Sequence, residues 1–150
     1  MKNTLLIDAS AYQAIVKDLE KAFPNEGCGF FYGKDDGNAR QVFTTWAVPN
    51  AKEGNQHRRF EISPLDYIKA ERKAKEFGST LLGVYHSHPN HPALPSVYDL
   101  RQAMPYFSYI ILSVHDAVAA RMTSWRLAEG KRLFEEEQVM VRELLIKQSN

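Results

Sequence analysis

His86, Ser87 and His88 stand together in the sequence, and Asp99 follows eleven residues after His88. Two imidazoles and a carboxylate are donor types that hold a catalytic zinc, which takes three protein ligands and keeps a fourth position for water. Side chains two apart on a strand point to the same side of a sheet, so an extended backbone here presents both imidazoles to one ion. The apolar run from Thr80 to His86 reads as that strand.

The third ligand has to be brought back to the strand end. From His88 to Pro95 prolines and histidines follow one another closely, which is loop composition. Ser96 then stands three residues before Asp99, a capping-box spacing that starts a short helical turn running through Met104. Asp99 is the best candidate for the third ligand, although a carboxylate in a first helical turn is also favourable for purely structural reasons. The two readings are compatible, and a capping serine still has a hydroxyl proton to offer a site.

Around this segment the pattern gives a short strand at Leu5 to Ile7, and then an amphipathic helix capped by Ser10, with Tyr12, Ile15, Val16, Leu19 and Phe23 at helical spacing, ending near Pro24. Cys28 to Gly33 and Gln41 to Val48, joined through Asp36-Gly37, read as an antiparallel hairpin. Pro49 to Arg59 is polar and reads as a surface loop. Ser63-Pro64 opens a second helix that Gly78 closes. Tyr109 to Val114 and Ala119 to Leu127 are further strands, while Leu133 to Lys147 fits a strand around Val139 and Val141 or a helix around Leu144-Leu145. Trp46 and Trp125 are expected in the core. The sum is a mixed sheet with helices packed against it, an α/β or α+β class without strict βαβ alternation.

At 150 residues, 44% hydrophobic and 25% charged, the chain has the size and composition of one ordered domain, residues 1–150. A net charge of +1 gives no overall field to draw it to nucleic acid or an anionic membrane, so neither partner is expected. One cysteine, Cys28, excludes an internal disulfide and fits a reducing compartment. The apolar run before Asp8 is too short for a signal peptide, so the expected address is cytoplasmic.

His86-x-His88, Ser96 and Asp99, at these spacings, resemble the JAMM motif of the JAB1/MPN/Mov34 metalloenzymes. Upstream, Pro24-x-Glu26-x-Cys28-Gly29-Phe30-Phe31-Tyr32-Gly33 resembles the glutamate-bearing segment of that family, and Gly83-Val84-Tyr85 with the later prolines resembles its short prokaryotic members. The resemblance runs from about Ser10 to about Leu127. It implies a JAB1/MPN-like fold, one zinc ion on His86, His88 and Asp99, and Glu26 as the acid/base. Residues alone leave that last choice open, since Glu20, Glu53, Glu61 and Glu71 are also upstream carboxylates.

Zinc brings the pKa of a bound water to about 7 and polarises a carbonyl. With Glu26 moving the proton and Ser96 donating to the developing oxyanion, the expected chemistry is amide hydrolysis. The resemblance implies as substrate the peptide or isopeptide bond at the C-terminal Gly-Gly tail of a ubiquitin-like or sulfur-carrier protein. Such a tail is expected to add to a strand edge and thread past His88, with the Pro49 to Arg59 loop or the His91 loop as a wall. Other readings are a metal-free MPN-type scaffold, a zinc deaminase and a phosphoesterase. The scaffold lacks metal ligands that are all present here, the deaminase needs a Cys-x-x-Cys pair, and two-metal phosphoesterases need more ligands. His91 is read as a loop or groove residue, His57 and His115 as solvated, and Cys28 as a small buried hydrophobe.

Overall fold

The computed structural model describes residues 3–130 and 132–143. In chain order its elements are β1 Thr4–Asp8, α1 Ala9–Ala22, β2 Cys28–Asp35, β3 Ala39–Val48, α2 Pro64–Glu76, β4 Thr80–Pro89, α3 Val97–Gln102, β5 Ser108–His115, β6 Val118–Leu127 and β7 Phe134–Arg142. The architecture is the expected mixed α+β sheet flanked by helices. The strands are ordered β1-β3-β2-β4-β5-β6-β7, and β7 pairs back onto β1 to close the sheet. β1 is parallel to β3 and β7, β4 is parallel to β5, and the other pairs are antiparallel.

Each face of the sheet has its own core. Ala11, Ile15 and Leu19 of α1 pack with Phe31, Tyr85, Ile110 and Leu112 on one face. On the other, Phe30, Tyr32, Val84 and Tyr109 pack with Ala70 of α2 and with Phe60, Ile62 and Phe107. β2 is buried on both faces, which is why Cys28 to Tyr32 reads as an unbroken apolar run rather than an alternation. Burying each large side chain contributes about 1.5–3 kcal/mol, so these two clusters hold the strands in register.

The hairpin, the Ser63-capped helix and the paired strands β5 and β6 form where the sequence places them. Two details differ. The first helix is capped by Asp8 rather than Ser10, and the Asp8 carboxylate makes no cap bond because Oδ1 accepts instead from Gln41 Nε2 at 3.1 Å. β4 continues through His88 to Pro89, since parallel pairing to β5 carries on to Pro89↔Val114. Trp46 and Trp125 are half-buried rather than central: Trp46 lies under Lys73 at 5.1 Å, and Trp125 Nε1 donates to Thr123 Oγ1 at 2.8 Å. The ambiguous C-terminal stretch is a strand over Phe134–Arg142, while Leu144 and Leu145 lie outside the described residues. Among the described residues no helix is long and apolar enough to cross a membrane.

Two glycines let β4 sit where it does. A Cβ on Gly29 would fall 2.4 Å from the Tyr85 ring, and one on Gly83 would fall 1.8 Å from the Ser108 carbonyl oxygen. Any side chain at either position would force β2 or β5 away from the strand that carries both histidines.

Candidate active site

From Gly83 onward β4 alternates cleanly: Tyr85 faces the α1 core, while Val84, His86 and His88 face the other side. His86 stacks on Phe60, with ring centroids 4.4 Å apart and an interplanar angle of 23°. His88 Nδ1–H donates to the Pro92 carbonyl at 2.9 Å, which fixes the tautomer and turns the Nε2 lone pair inward. Asp99 arrives from α3 through a complete capping box: Ser96 Oγ accepts from Asp99 N–H at 2.9 Å, and Asp99 Oδ2 accepts from Ser96 N–H at 2.8 Å. The capping box thus fixes the direction of the Asp99 carboxylate.

The three side chains converge. His86 Nε2 lies 3.2 Å from His88 Nε2 and 3.2 Å from Asp99 Oδ1, and His88 Nε2 lies 3.2 Å from Asp99 Oδ2. Ligand atoms set tetrahedrally about 2.0–2.1 Å from a zinc ion stand about 3.3 Å from one another, so the spacing fits the metal. The environment fits as well. His86, His88 and Asp99 are 1%, 8% and 8% exposed. Although burial alone would raise the Asp99 pKa, the neighbouring His86 and His88 and the hydrogen bond from Ser96 N–H hold it far below the carboxylate range. Among the described residues this is the cluster of metal-ligating types close enough to share an ion.

Glu26 reaches the same place from β2. Cys28 pairs with His86 across the sheet, and beyond that pair Ser87 Oγ accepts from Gly27 N–H at 2.9 Å while Ser87 N–H donates to the Gly27 carbonyl at 3.2 Å. On its other side Glu26 is held by the loop after β3. Glu26 N–H donates to the Gln56 carbonyl at 2.7 Å, and Asn50 Nδ2 donates to the carbonyls of Glu26 and Arg59, each at 3.0 Å. The carboxyl is 6% exposed, and burial pushes its pKa to about 7 against the opposing charges of His86 and His88. A group near neutrality takes and returns a proton with the least bias at physiological pH.

A pocket of about 380 Å³ opens here, lined by Glu26, His88 and Ser96, by Arg58 and Arg59, and by His91, Pro92 and Leu94. The two loops expected as walls therefore both border it. β4 is paired to β5 through Pro89 but to β2 only through His86, so among the described residues its β2-side edge has no ladder partner at His88 and Pro89. His91 is exposed at the pocket mouth, outside the three-residue cluster, and His57 and His115 are exposed. Cys28 is 1% exposed, and burial pushes its thiol up to about 12, which disfavours the thiolate.

The sequence reading passed over Ser87, Asn50, Phe60 and the two arginines. Ser87 carries no signal beyond its place between the histidines. Arg58-Arg59 running directly into an aromatic residue was the one visible sign that this polar loop packs on something.

Comparison with known proteins agrees with this geometry. Residues 8–128 match the family of prokaryotic homologs of the JAB domain. A probable TtuB-protein conjugate cleaving protease of Thermus thermophilus is 34% identical over 115 residues, 77% of this chain and 70% of that protein. A desampylase of Pyrococcus furiosus is 28% identical over 133 residues, 89% of this chain and 88% of that one. The solution structure of protein DSY2949 from Desulfitobacterium hafniense superposes with a TM-score of 0.81 at 27% identity, covering 95% of each chain. With a match over most of its length and a two-histidine, one-aspartate cluster at the end of β4, this chain belongs to the prokaryotic JAB-domain family.

Proposed function

We propose that this chain is a zinc-dependent peptidase that hydrolyses the peptide or isopeptide bond at the C-terminal Gly-Gly tail of a ubiquitin-like or sulfur-carrier protein. One observation carries the reading: the His86 and His88 Nε2 atoms stand 3.2 Å apart, each 3.2 Å from an oxygen of the Asp99 carboxylate, and His88 lines the same pocket as buried Glu26. The names of the relatives, a conjugate cleaving protease and a desampylase, support the substrate class.

His86, His88 and Asp99 would hold the zinc, which when bound supplies a Lewis acid that activates water and polarises the scissile carbonyl. Glu26 takes the proton that the attacking water gives up and delivers it to the departing nitrogen as the C–N bond breaks. Ser96 Oγ already accepts from Asp99 N–H, so its own proton is free to donate to the carbonyl oxygen as negative charge develops there. Phe60 behind His86 and the Pro92 carbonyl behind His88 stop either ring from turning as charge moves. Glycines suit the tail because a chain without side chains can lie close against the pocket floor.

The test is incubation of the protein with ubiquitin-like fusions carrying a Gly-Gly junction, with and without chelator. Cleavage after the second glycine that the chelator abolishes and added zinc restores is the expected result. Intact fusions under all conditions would reject the reading. A scaffold role has no specific observation in its favour, because all the ligand positions are filled and aligned.

A further inference from the structure

The proposed reaction leaves one feature of the pocket unused. Arg58 and Arg59 line the same pocket as Glu26, and among the described residues neither guanidinium pairs with a carboxylate. Arg59 is half-buried and held: its guanidinium carbon lies 4.9 Å from the centre of the Tyr98 ring, and its Nη1 donates to the Arg58 carbonyl at 3.0 Å. The backbone is fixed too, because the Asn50 amide bridges the carbonyls of Arg59 and Glu26. The arginines and the proton donor are therefore parts of one clamped unit.

We infer that Arg58 and Arg59 form an anion subsite for the α-carboxylate of the leaving group, so that the favoured substrate is a Gly-Gly tail carrying a free amino acid rather than a protein lysine. This rests on the peptidase reading and names the group released.

In the hydrolysis the water oxygen bonds to the tail carbonyl carbon, the C–N bond breaks, and Glu26 passes the water's proton to the nitrogen. The products are a tail carboxylate and a free amine. Glu26 must lie on the leaving-group side of the scissile bond to reach that nitrogen, and the Asn50 bridge between the two backbones keeps Arg59 beside it in the same pocket. In an α-amino acid the carboxylate is two bonds from the nitrogen, so it would enter the pocket beside Glu26. Without cations there, it would face the Glu26 carboxyl and the Asp99 carboxylate, which disfavours binding. Two guanidiniums reverse that sign and add charge-assisted, bidentate hydrogen bonds. A lysine side chain has no anion near its nitrogen, so an isopeptide substrate would leave both arginines unmatched. The pocket volume of about 380 Å³ suits a glycine tail and one small residue.

The test compares acetyl-Gly-Gly-Ala ending in a free carboxylate with the same peptide ending in a carboxamide. Binding is followed by NMR titration on zinc-loaded Glu26→Gln protein, and cleavage is followed on zinc-loaded wild type. The expected result is about tenfold tighter binding and about tenfold higher kcat/KM for the carboxylate peptide. The difference should vanish in Arg58→Gln/Arg59→Gln at unchanged zinc content, and shrink in the exposed single variant Arg58→Gln, which tests the subsite if the double variant fails to fold. Equal binding and equal cleavage of the two peptides would overturn the subsite and leave the peptidase reading standing. Preferential binding with cleavage of neither would support the subsite and overturn the peptidase reading. A carboxylate preference that persists in both variants, or an equal loss on both peptides, would place the arginines elsewhere in recognition and overturn the subsite.

Discussion

Ser87 Oγ lies 2.9 Å from the Gly27 amide nitrogen and accepts its hydrogen bond, although the two residues are 60 positions apart. Because Ser87 sits between His86 and His88 and Gly27 follows Glu26, this contact ties Glu26 to the strand that carries both imidazoles. It leaves β4 on the face opposite the imidazoles, so it fixes spacing without occupying the site.

Ser87→Ala should therefore separate the two functions. Losing one buried hydrogen bond of about 1 kcal/mol allows Glu26 to drift, and turnover is expected to fall several-fold to about tenfold while zinc affinity is retained. Kinetics on a Gly-Gly fusion, alongside zinc content, check it.

Thr123 acts on His88 at one remove. Trp125 Nε1 donates to Thr123 Oγ1, Thr123 Oγ1–H donates to the Ala93 carbonyl at 2.7 Å, and the preceding carbonyl, of Pro92, receives His88 Nδ1–H. Thr123→Val keeps the volume and removes both bonds, so zinc affinity is expected to drop by about 10-fold to 100-fold, with recovery in Thr123→Ser. Competition against a chromophoric chelator measures this without any substrate.

Glu26→Gln should retain zinc and lose nearly all turnover, whereas His88→Ala loses both. The same carboxyl predicts a pH-dependent stability difference in protein stripped of metal. Glu26 faces His86, His88, Asp99 and Arg59, and burial raises its pKa from 4.5 in the unfolded chain to about 7. The folded state then holds the proton more tightly, so the stability this group contributes is full below pH 4.5 and lost as the pH rises through 7. Glu26→Gln should accordingly melt higher than wild type at pH 8, by on the order of 1–3 kcal/mol, and equal it near pH 4.

Cys28 gives a negative control. Burial pushes its thiol up to about 12, and its Sγ faces the Val48 carbonyl at 3.7 Å. Iodoacetamide at pH 7.5 should neither modify the folded protein nor inhibit it, and Cys28→Ala should stay active.

Much of the site was legible because its parts are local. The strand parity of His86 and His88 and the Ser96-Asp99 cap are patterns within a few residues, and they place all three donor side chains. Glu26 needed the resemblance, since only the long-range pairing of Cys28 with His86 brings it close. Sheet closure was hidden for the same reason: Thr4 pairs with Gln138, and nothing near either residue encodes the other. The arginine wall was hidden by its polarity, because the Asn50 hydrogen bonds that order the loop leave no periodic trace.

The most direct test is zinc stoichiometry measured by elemental analysis on protein purified without added chelator, in wild type and in His86→Ala, His88→Ala and Asp99→Ala. One zinc per chain in wild type and well below one in each variant is the predicted result. Wild type without zinc under zinc-replete conditions, or variants that hold it as well as wild type, would contradict the account.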